Sequence, residues 1–195
     1  RSVQLTLNNF TLVGATTRLG NLTSPMRERF GVVLRLDFYN DLELSDIIMR
    51  SADLLSIKIE KDAALEIAKR SRWTPRIANR ILKRARDFAQ VNSNGLISEL
   101  IAKDALDKLG IDKNGLDLMD KKILQTIIEN FNGGPVGLDT LGVAISENPR
   151  TVEEVYEPYL IKEGYIQRTT RGRIALDKRY QFLKLKKTNN INLFK

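Results

Sequence analysis

Arginine is the residue type in this chain whose spacing points most directly to chemistry. Arg168, Arg171 and Arg173 form an arginine cluster around Gly172. A guanidinium donates hydrogen bonds in a planar fork that fits a phosphate or a carboxylate. On a short turn, three such groups suit contact with the backbone or a groove of a nucleic acid rather than the reading of a base sequence. We therefore predict that the arginine cluster binds a polyanion.

A second group of arginines lies near the start of the chain. Residues 1–35 contain five arginines, no lysine and one acid, Glu28. Arg27 and Arg29 flank this acid beside the apolar Phe30, so an ion pair with Glu28 is one explanation for them. The other explanation is that their guanidinium groups donate paired hydrogen bonds to a phosphate. Spacing alone favours the ion pair, with Glu28 or with another neighbour.

Two further segments carry groups that suit an anionic ligand. Residues 14–18 end a predicted strand with exposed hydroxyl groups, where α/β proteins place ligand contacts. Thr74 suits the N-cap of a predicted helix and Pro75 its first position, which puts Arg76 in the first turn. A cation there opposes the helix dipole, so a bound anion or solvating water must offset it.

The composition excludes several other chemistries. The chain has 195 residues, no cysteine and no histidine. It therefore has no thiol nucleophile, disulfide, Cys/His zinc site or imidazole base, and we predict no metal site. It has no Gly-x-x-x-x-Gly-Lys-Ser/Thr phosphate-binding loop. No apolar run reaches the roughly 18 to 20 residues that span a bilayer, so we expect a cytoplasmic protein without membrane contact.

The net charge of +8 is concentrated at the carboxyl end. Residues 168–195 carry nine basic residues and one acid, which equals the net charge of the whole chain. Such a segment attracts a nucleic-acid backbone. A solvated basic surface has the same composition and remains the alternative.

Three blocks of sequence position these residues, and the first, residues 1–37, has strand-like patterns. They occur at 3–7, 10–15 and 32–36, and the continuous apolar run at 10–15 is typical of a strand covered on both faces. Two or three strands without crossover helices cannot close such a sheet. We expect this block to be the second part of an α/β domain that begins before Arg1.

The other two blocks are mainly helical. Residues 38–112 predict four short helices on one core, the first with an Asn40–Glu43 capping box. Residues 113–187 predict three helices and a hairpin, the order of a winged helix-turn-helix, with a Thr151–Glu154 capping box on the third helix. Residues 188–195 are predicted to be a frayed tail.

The third helix of that last block is a poor reader of DNA bases, because four carboxylates would be repelled by phosphates and Pro158 interrupts it. The carboxylates are Glu153, Glu154, Glu157 and Glu163. The hairpin, or wing, with its arginine cluster is the better DNA contact. A protein–protein module remains the alternative for this block.

Six segments, in order and with matching spacing, resemble the RuvB family of AAA+ ATPases, the motors of Holliday junction branch migration in DNA recombination and repair. They are Phe10–Arg18, Leu22–Gly31, Thr74–Arg80, Gly133–Leu138, Glu157–Leu160 and Arg168–Arg173. The match covers essentially residues 1–185. It implies an α/β then all-α chain: the C-terminal part of an AAA+ core sheet (1–37), a four-helix lid (38–112) and a winged helix (113–187).

The resemblance also implies an activity and partners. RuvB-like chains form a homohexameric ring that hydrolyses ATP to ADP with Mg²⁺. The ring works together with RuvA and moves double-stranded DNA at Holliday junctions. The resemblance also implies RuvC as a further partner. The P-loop and the Mg²⁺ ligands would precede Arg1. We therefore expect no ATPase activity from this chain alone.

Individual residues take roles from the same resemblance. Arg29 resembles the arginine finger that reaches a neighbouring subunit's ATP, with Arg27 as the second candidate. Thr17 resembles sensor 1, near the γ-phosphate and the attacking water. Arg76 resembles sensor 2, so that the anion at its helix would be nucleotide phosphate.

The remaining family roles concern adenine, RuvA and DNA. Tyr39 and Pro75 resemble part of the adenine pocket. The strand that contains Val3 and Leu5 resembles the second half of the hairpin that docks on RuvA. The arginine cluster resembles the contacts of the wing with the DNA backbone.

One position departs from the family pattern. RuvB proteins typically have glycine before the Thr-Pro-Arg sequence, where this chain has Trp73. If that glycine serves for a positive φ or a close backbone approach, tryptophan must shift the loop that carries Arg76. The alternative is that Trp73 packs over the base of the nucleotide.

Two other functions fit parts of the pattern. A non-enzymatic winged-helix DNA-binding regulator with a helical oligomerisation domain has no use for Arg29 and Arg76. A clamp-loader-type AAA+ subunit has no use for the basic wing.

Overall fold

The computed structural model describes residues 8–16 and 19–176. The chain divides into two compact units, Arg1–Asp37 and Phe38–Lys195. Three predicted site residues, Val3, Leu5 and Thr17, lie outside the described residues, as does the predicted tail.

The first unit has few regular elements in its described part. They are a 3-10 turn, Leu19–Asn21, and the short helix α1, Ser24–Glu28. The apolar runs at 10–15 and 32–36 form no strand there, unlike the prediction, and their large side chains are exposed. A strand needs a neighbour to pair its backbone N–H and C=O groups, and none pairs with these runs among residues 8–16 and 19–37.

The helical lid has the four helices that the sequence predicts. They are α2 (Asp41–Leu54), α3 (Lys61–Lys69), α4 (Pro75–Asn92) and α5 (Glu99–Lys108). Fully buried aliphatic side chains from all four, including Leu44, Ile67, Leu82 and Leu106, share one core. The Asn40–Glu43 capping box of α2 is confirmed. A short parallel pair, β1 (Lys58–Ile59) and β2 (Leu96–Ile97), was not predicted.

The winged helix follows, with its own core. Its helices are α6 (Leu118–Glu129), α7 (Leu138–Ile145), α8 (Pro149–Thr151) and α9 (Glu157–Lys162), with a π-helical turn at Val152–Tyr156. Strands β3 (Ile166–Thr169) and β4 (Gly172–Ala175) pair antiparallel as the wing. Gly172 has φ 133°, and a Cβ there would collide with the carbonyl oxygen of Val136, so this corner requires glycine.

The start of the third helical region differs from the prediction. Asn148, not Thr151, is the N-cap, because its side chain accepts from the N–H of Arg150 and Pro149 occupies the first turn. Glu154 accepts from the Arg150 guanidinium at 2.6 Å. The prediction of a Thr151–Glu154 capping box is therefore wrong. In the described part of the chain, no helix has the length and apolar character needed to cross a membrane.

Candidate functional site

Helix α1 holds its two arginines differently. Arg27 Nη2 donates to Ser24 Oγ at 3.2 Å, which ties this guanidinium to its own helix. Arg29, just after the helix, is exposed and has no side-chain partner among the described residues. Neither arginine pairs with Glu28 in that part of the chain. Arg29 is thus the guanidinium of the two that is free to reach another molecule.

A glycine contact places the segment before Thr17 next to the arginine segment. A Cβ added at Gly14 would lie 3.3 Å from the ring of Phe30, the residue after Arg29. Glycine therefore lets the backbone at residue 14 lie directly against this ring. The structure brings these two predicted ligand segments together, while Thr17 itself lies outside the described residues.

Helix α4 begins with uncapped amides and an exposed cation. Thr74 occupies the N-cap position and Pro75 the first turn, as predicted, but the Thr74 hydroxyl donates to the Ser71 carbonyl at 3.4 Å instead of capping the helix. The first turn has no acid, and Arg76 is exposed without a side-chain partner in the described residues. Free N–H groups and a guanidinium suit an anion such as a phosphate.

The other two predicted nucleotide contacts also have free surface. Tyr39 is 44% exposed and Pro75 is half-buried. Among residues 8–16 and 19–176, no group of three or more Asp and Glu residues could hold a metal ion. An exposed aromatic ring and an exposed guanidinium are groups that can contact a base and a phosphate, respectively.

A buried glutamate engages two members of the arginine cluster. Arg173 donates from Nε to Glu157 Oε1 and from Nη2 to Oε2, the latter at 3.2 Å. Arg168 donates to the same Oε2 and lies 3.2 Å from Glu153 Oε1. Arg168 and Arg173 are opposite each other across the hairpin, where two like charges repel. The single Glu157 carboxylate pairs with both guanidinium groups and reduces this repulsion.

Pro158 explains why Glu157 faces inward. In a regular α-helix the proline ring would clash with the carbonyl of Glu154, and proline has no N–H to donate. The turn is wider here: the N–H of Glu157 donates to the carbonyl of Val152, five residues earlier. Glu157 is 1% exposed. Of the four carboxylates predicted to be repelled by phosphates, Glu157 is therefore one that does not face outward.

The arginine cluster is divided by this arrangement. Arg173 is 9% exposed, so its burial against Glu157 argues against the predicted DNA contact. Arg168 keeps about half of its side chain exposed while paired. Arg171, at the tip of the hairpin, is exposed and has no ion-pair partner in the described residues. Arg171 is the member best placed to meet a phosphate.

Sequence reasoning missed a charged cluster at the start of α6. Asp117 caps this helix in a capping box with Asp120, a pattern visible in the sequence. Arg72, from the loop before α4, lies 2.8 Å from Asp117 and also pairs with Asp120. Arg72 has φ 50° and Trp73 φ 56°. The positive φ expected of a family glycine is present at position 73, and tryptophan adopts it at a cost of about 1–2 kcal/mol.

Asp120 should make the stability of this chain depend on pH. Burial raises the pKa of Asp120 from 3.8 to about 7, against the attraction of Arg72. A raised pKa means that the folded chain binds this proton more tightly than the unfolded chain does. The bound proton therefore stabilises the fold fully below about pH 4, and this stabilisation is lost as the pH rises towards 7. Relative to Asp120→Asn, the free energy of unfolding should fall by about 1.4 kcal/mol per pH unit in this window.

Urea titrations of the chain and of Asp120→Asn, at several pH values between 4 and 7, measure this difference. A difference that stays constant across the window would contradict the role given to Asp120.

Three family models match the chain. They are described as the Holliday junction DNA helicase RuvB P-loop domain (residues 1–36), the RuvB AAA lid domain (39–112) and the RuvB C-terminal winged helix domain (113–184). The matches leave only residues 37, 38 and 185–195 uncovered.

Individual proteins agree with these matches. The chain is 54% identical over 184 residues to the Holliday junction branch migration complex subunit RuvB of Fusobacterium nucleatum, covering 94% of this chain and 55% of that protein. It superimposes with a TM-score of 0.82 on the RuvB Holliday junction branch migration motor of Thermotoga maritima, at 52% identity, over 91% of this chain and 59% of that one. A point mutant of the Thermotoga protein gives a TM-score of 0.81. The chain thus spans slightly more than half the length of these relatives.

Proposed function

This chain belongs to the RuvB family, and we propose that it supplies part of a hexameric, ATP-driven motor that moves double-stranded DNA at Holliday junctions in the cytoplasm. RuvA is its partner, and RuvC is a further one. The observation that carries the proposal is the exposed Arg29 beside Phe30, which has no side-chain partner in residues 8–16 and 19–176. A DNA-binding regulator has no use for such a group.

The bound Mg²⁺–ATP supplies the phosphoryl group whose hydrolysis drives movement. In our proposal Arg29 binds the γ-phosphate held by a neighbouring subunit, and Thr17 orients the attacking water. Arg76 binds phosphate at the start of α4, while Tyr39 and Pro75 hold the adenine. Arg27 is the second candidate for the finger, and its hydrogen bond to Ser24 supports placing it behind Arg29.

The DNA and RuvA contacts lie at the two ends of the chain. Arg171, with help from the half-exposed Arg168, contacts the phosphate backbone, and this fits a motor that must bind every sequence. Val3 and Leu5 dock on RuvA. The experiment that tests the proposal is DNA-dependent ATP hydrolysis by a full-length subunit, meaning this sequence joined to a P-loop half. DNA binding without hydrolysis would instead identify the regulator.

Arg171→Ala should weaken the binding of this chain to duplex DNA about equally for every sequence. One phosphate contact is lost, so the slope of log K against log salt concentration should fall by about 1. Fluorescence anisotropy over a range of KCl concentrations measures the slope, and Arg171→Lys, which keeps the charge, is the matched control. An unchanged slope would remove Arg171 from the interface.

A further inference from the structure

We propose that Arg72 and Trp73 are positioning residues that clamp the winged helix to the lid loop carrying Arg76, so that Arg76 and the winged helix move together. The inference rests on the proposed function, because it needs a nucleotide at Arg76 and DNA at the wing. It assigns a task to the position where this chain departs from the family pattern.

Arg72 forms the ionic half of the clamp. Its Nη2 lies 2.8 Å from Asp117 and pairs with Asp120, and its Nε donates to the carbonyl of Gly115 at 3.0 Å. The Arg72 side chain is 10% exposed and Asp120 is fully buried. The buried Arg72 guanidinium tolerates little displacement, because moving it away from these acceptors would leave a buried charge without partners.

Trp73 forms the aromatic half. Its ring centroid lies 5.0 Å from that of Tyr159 in α9 and 5.9 Å from that of Phe38, which precedes α2. The Lys162 ammonium lies 4.1 Å from the Trp73 ring and 3.9 Å from the Phe38 ring, within cation–π range. The indole is therefore held between the last helix of the winged helix and the start of the lid.

The clamp is joined to Arg76 by a short, stiff segment. Only Trp73, Thr74 and Pro75 separate Arg72 from Arg76. Pro75 has a fixed φ, and the backbone of Arg72 and Trp73 is left-handed, so this segment has few alternative conformations. A displacement of Arg76 on binding phosphate must therefore be passed to the start of α6 and to α9.

The test is the ratio of the DNA affinities of a full-length subunit with and without a non-hydrolysable ATP analogue. Coupling of this kind typically amounts to five- to 150-fold, and we expect a ratio in that range. Trp73→Gly and Lys162→Met should bring the ratio towards 1. Glycine accepts the positive φ at position 73 and Lys162 is exposed, so both variants should fold.

Lys83→Met, which removes an exposed lysine of α4 outside the clamp, is the matched control and should keep the wild-type ratio. A merely structural role would weaken DNA binding equally in both conditions and leave the ratio unchanged. A ratio that both clamp variants leave unchanged, or a wild-type ratio of 1, overturns the proposal. ATP hydrolysis in the same samples shows separately whether the proposed function stands.

Trp73 is the sole tryptophan of the chain, so its fluorescence reports on the clamp directly. In the 195-residue chain, Lys162→Met should shift the emission maximum, because a cation is removed from the face of the indole. Lys83→Met should not shift it. Identical emission spectra for the chain and Lys162→Met would overturn the contact on which the clamp depends.

Discussion

Replacing Arg29 by alanine should abolish ATP hydrolysis by a full-length subunit that carries this sequence, while ATP binding stays intact. An arginine finger stabilises charge that develops on the transferring phosphoryl group, and its loss costs roughly 10³- to 10⁵-fold in rate. Arg29 is suited to this task because its guanidinium is exposed and pairs with no other side chain in the described part of the chain. Steady-state phosphate release and equilibrium binding of a fluorescent ATP analogue measure the two quantities separately.

Arg27→Ala is the matched control, since it removes the same group two residues earlier. Arg27 already donates to Ser24, so its loss should have a much smaller effect on the rate. If Arg27→Ala abolishes hydrolysis and Arg29→Ala does not, the finger is Arg27. If Arg29→Ala abolishes ATP binding as well, the residue supports the site rather than the reaction.

Glu157→Ala should destabilise the winged helix by about 3–5 kcal/mol. The substitution leaves Arg173 buried and without its partner, and an uncompensated buried charge carries a cost of this size. It also leaves the like charges of Arg168 and Arg173 facing each other across the hairpin. Urea unfolding followed by circular dichroism measures the loss.

Glu153→Ala tests whether the loss of stability expected for Glu157→Ala comes from the burial of its ion pair. The Glu153 carboxylate also pairs with Arg168, at 3.2 Å, but both side chains are at least 40% exposed. An exposed pair contributes no more than about 1 kcal/mol. Equal losses for Glu153→Ala and Glu157→Ala would mean that the buried ion pair does not hold the wing in place.

The helices and the wing could be predicted because their signals are local. The Asn40–Glu43 capping box, the proline at the start of α4 and the Gly172 corner each fix a boundary within a few residues. The sequence also predicts strands at 10–15 and 32–36, and the structure has no strand at either place. An apolar run indicates only that a segment needs a covering surface, and the pairing partner of a strand lies outside the run itself.

Among the site residues, too, those with a local sequence signal could be predicted and those that depend on distant residues could not. The exposure of Arg76 in the first turn of α4 follows from the Thr-Pro-Arg sequence. The inward turn of Glu157 does not, because it depends on the π-helical turn at Pro158 and on an arginine 16 residues later. The clamp joins residues that lie even further apart in the sequence, since Asp120 comes 48 positions after Arg72. Only the capping-box pattern at Asp117 could have drawn attention to it.

In our proposal this chain completes an ATP site held by a neighbouring subunit. Mixing full-length Arg29→Ala subunits with subunits that keep Arg29 but carry a defective P-loop tests it most directly, with ATP hydrolysis of the mixture as the measurement. Neither protein alone should hydrolyse ATP, and the mixture should recover part of the activity because intact fingers then meet intact P-loops. A mixture as inactive as its components would contradict the claim.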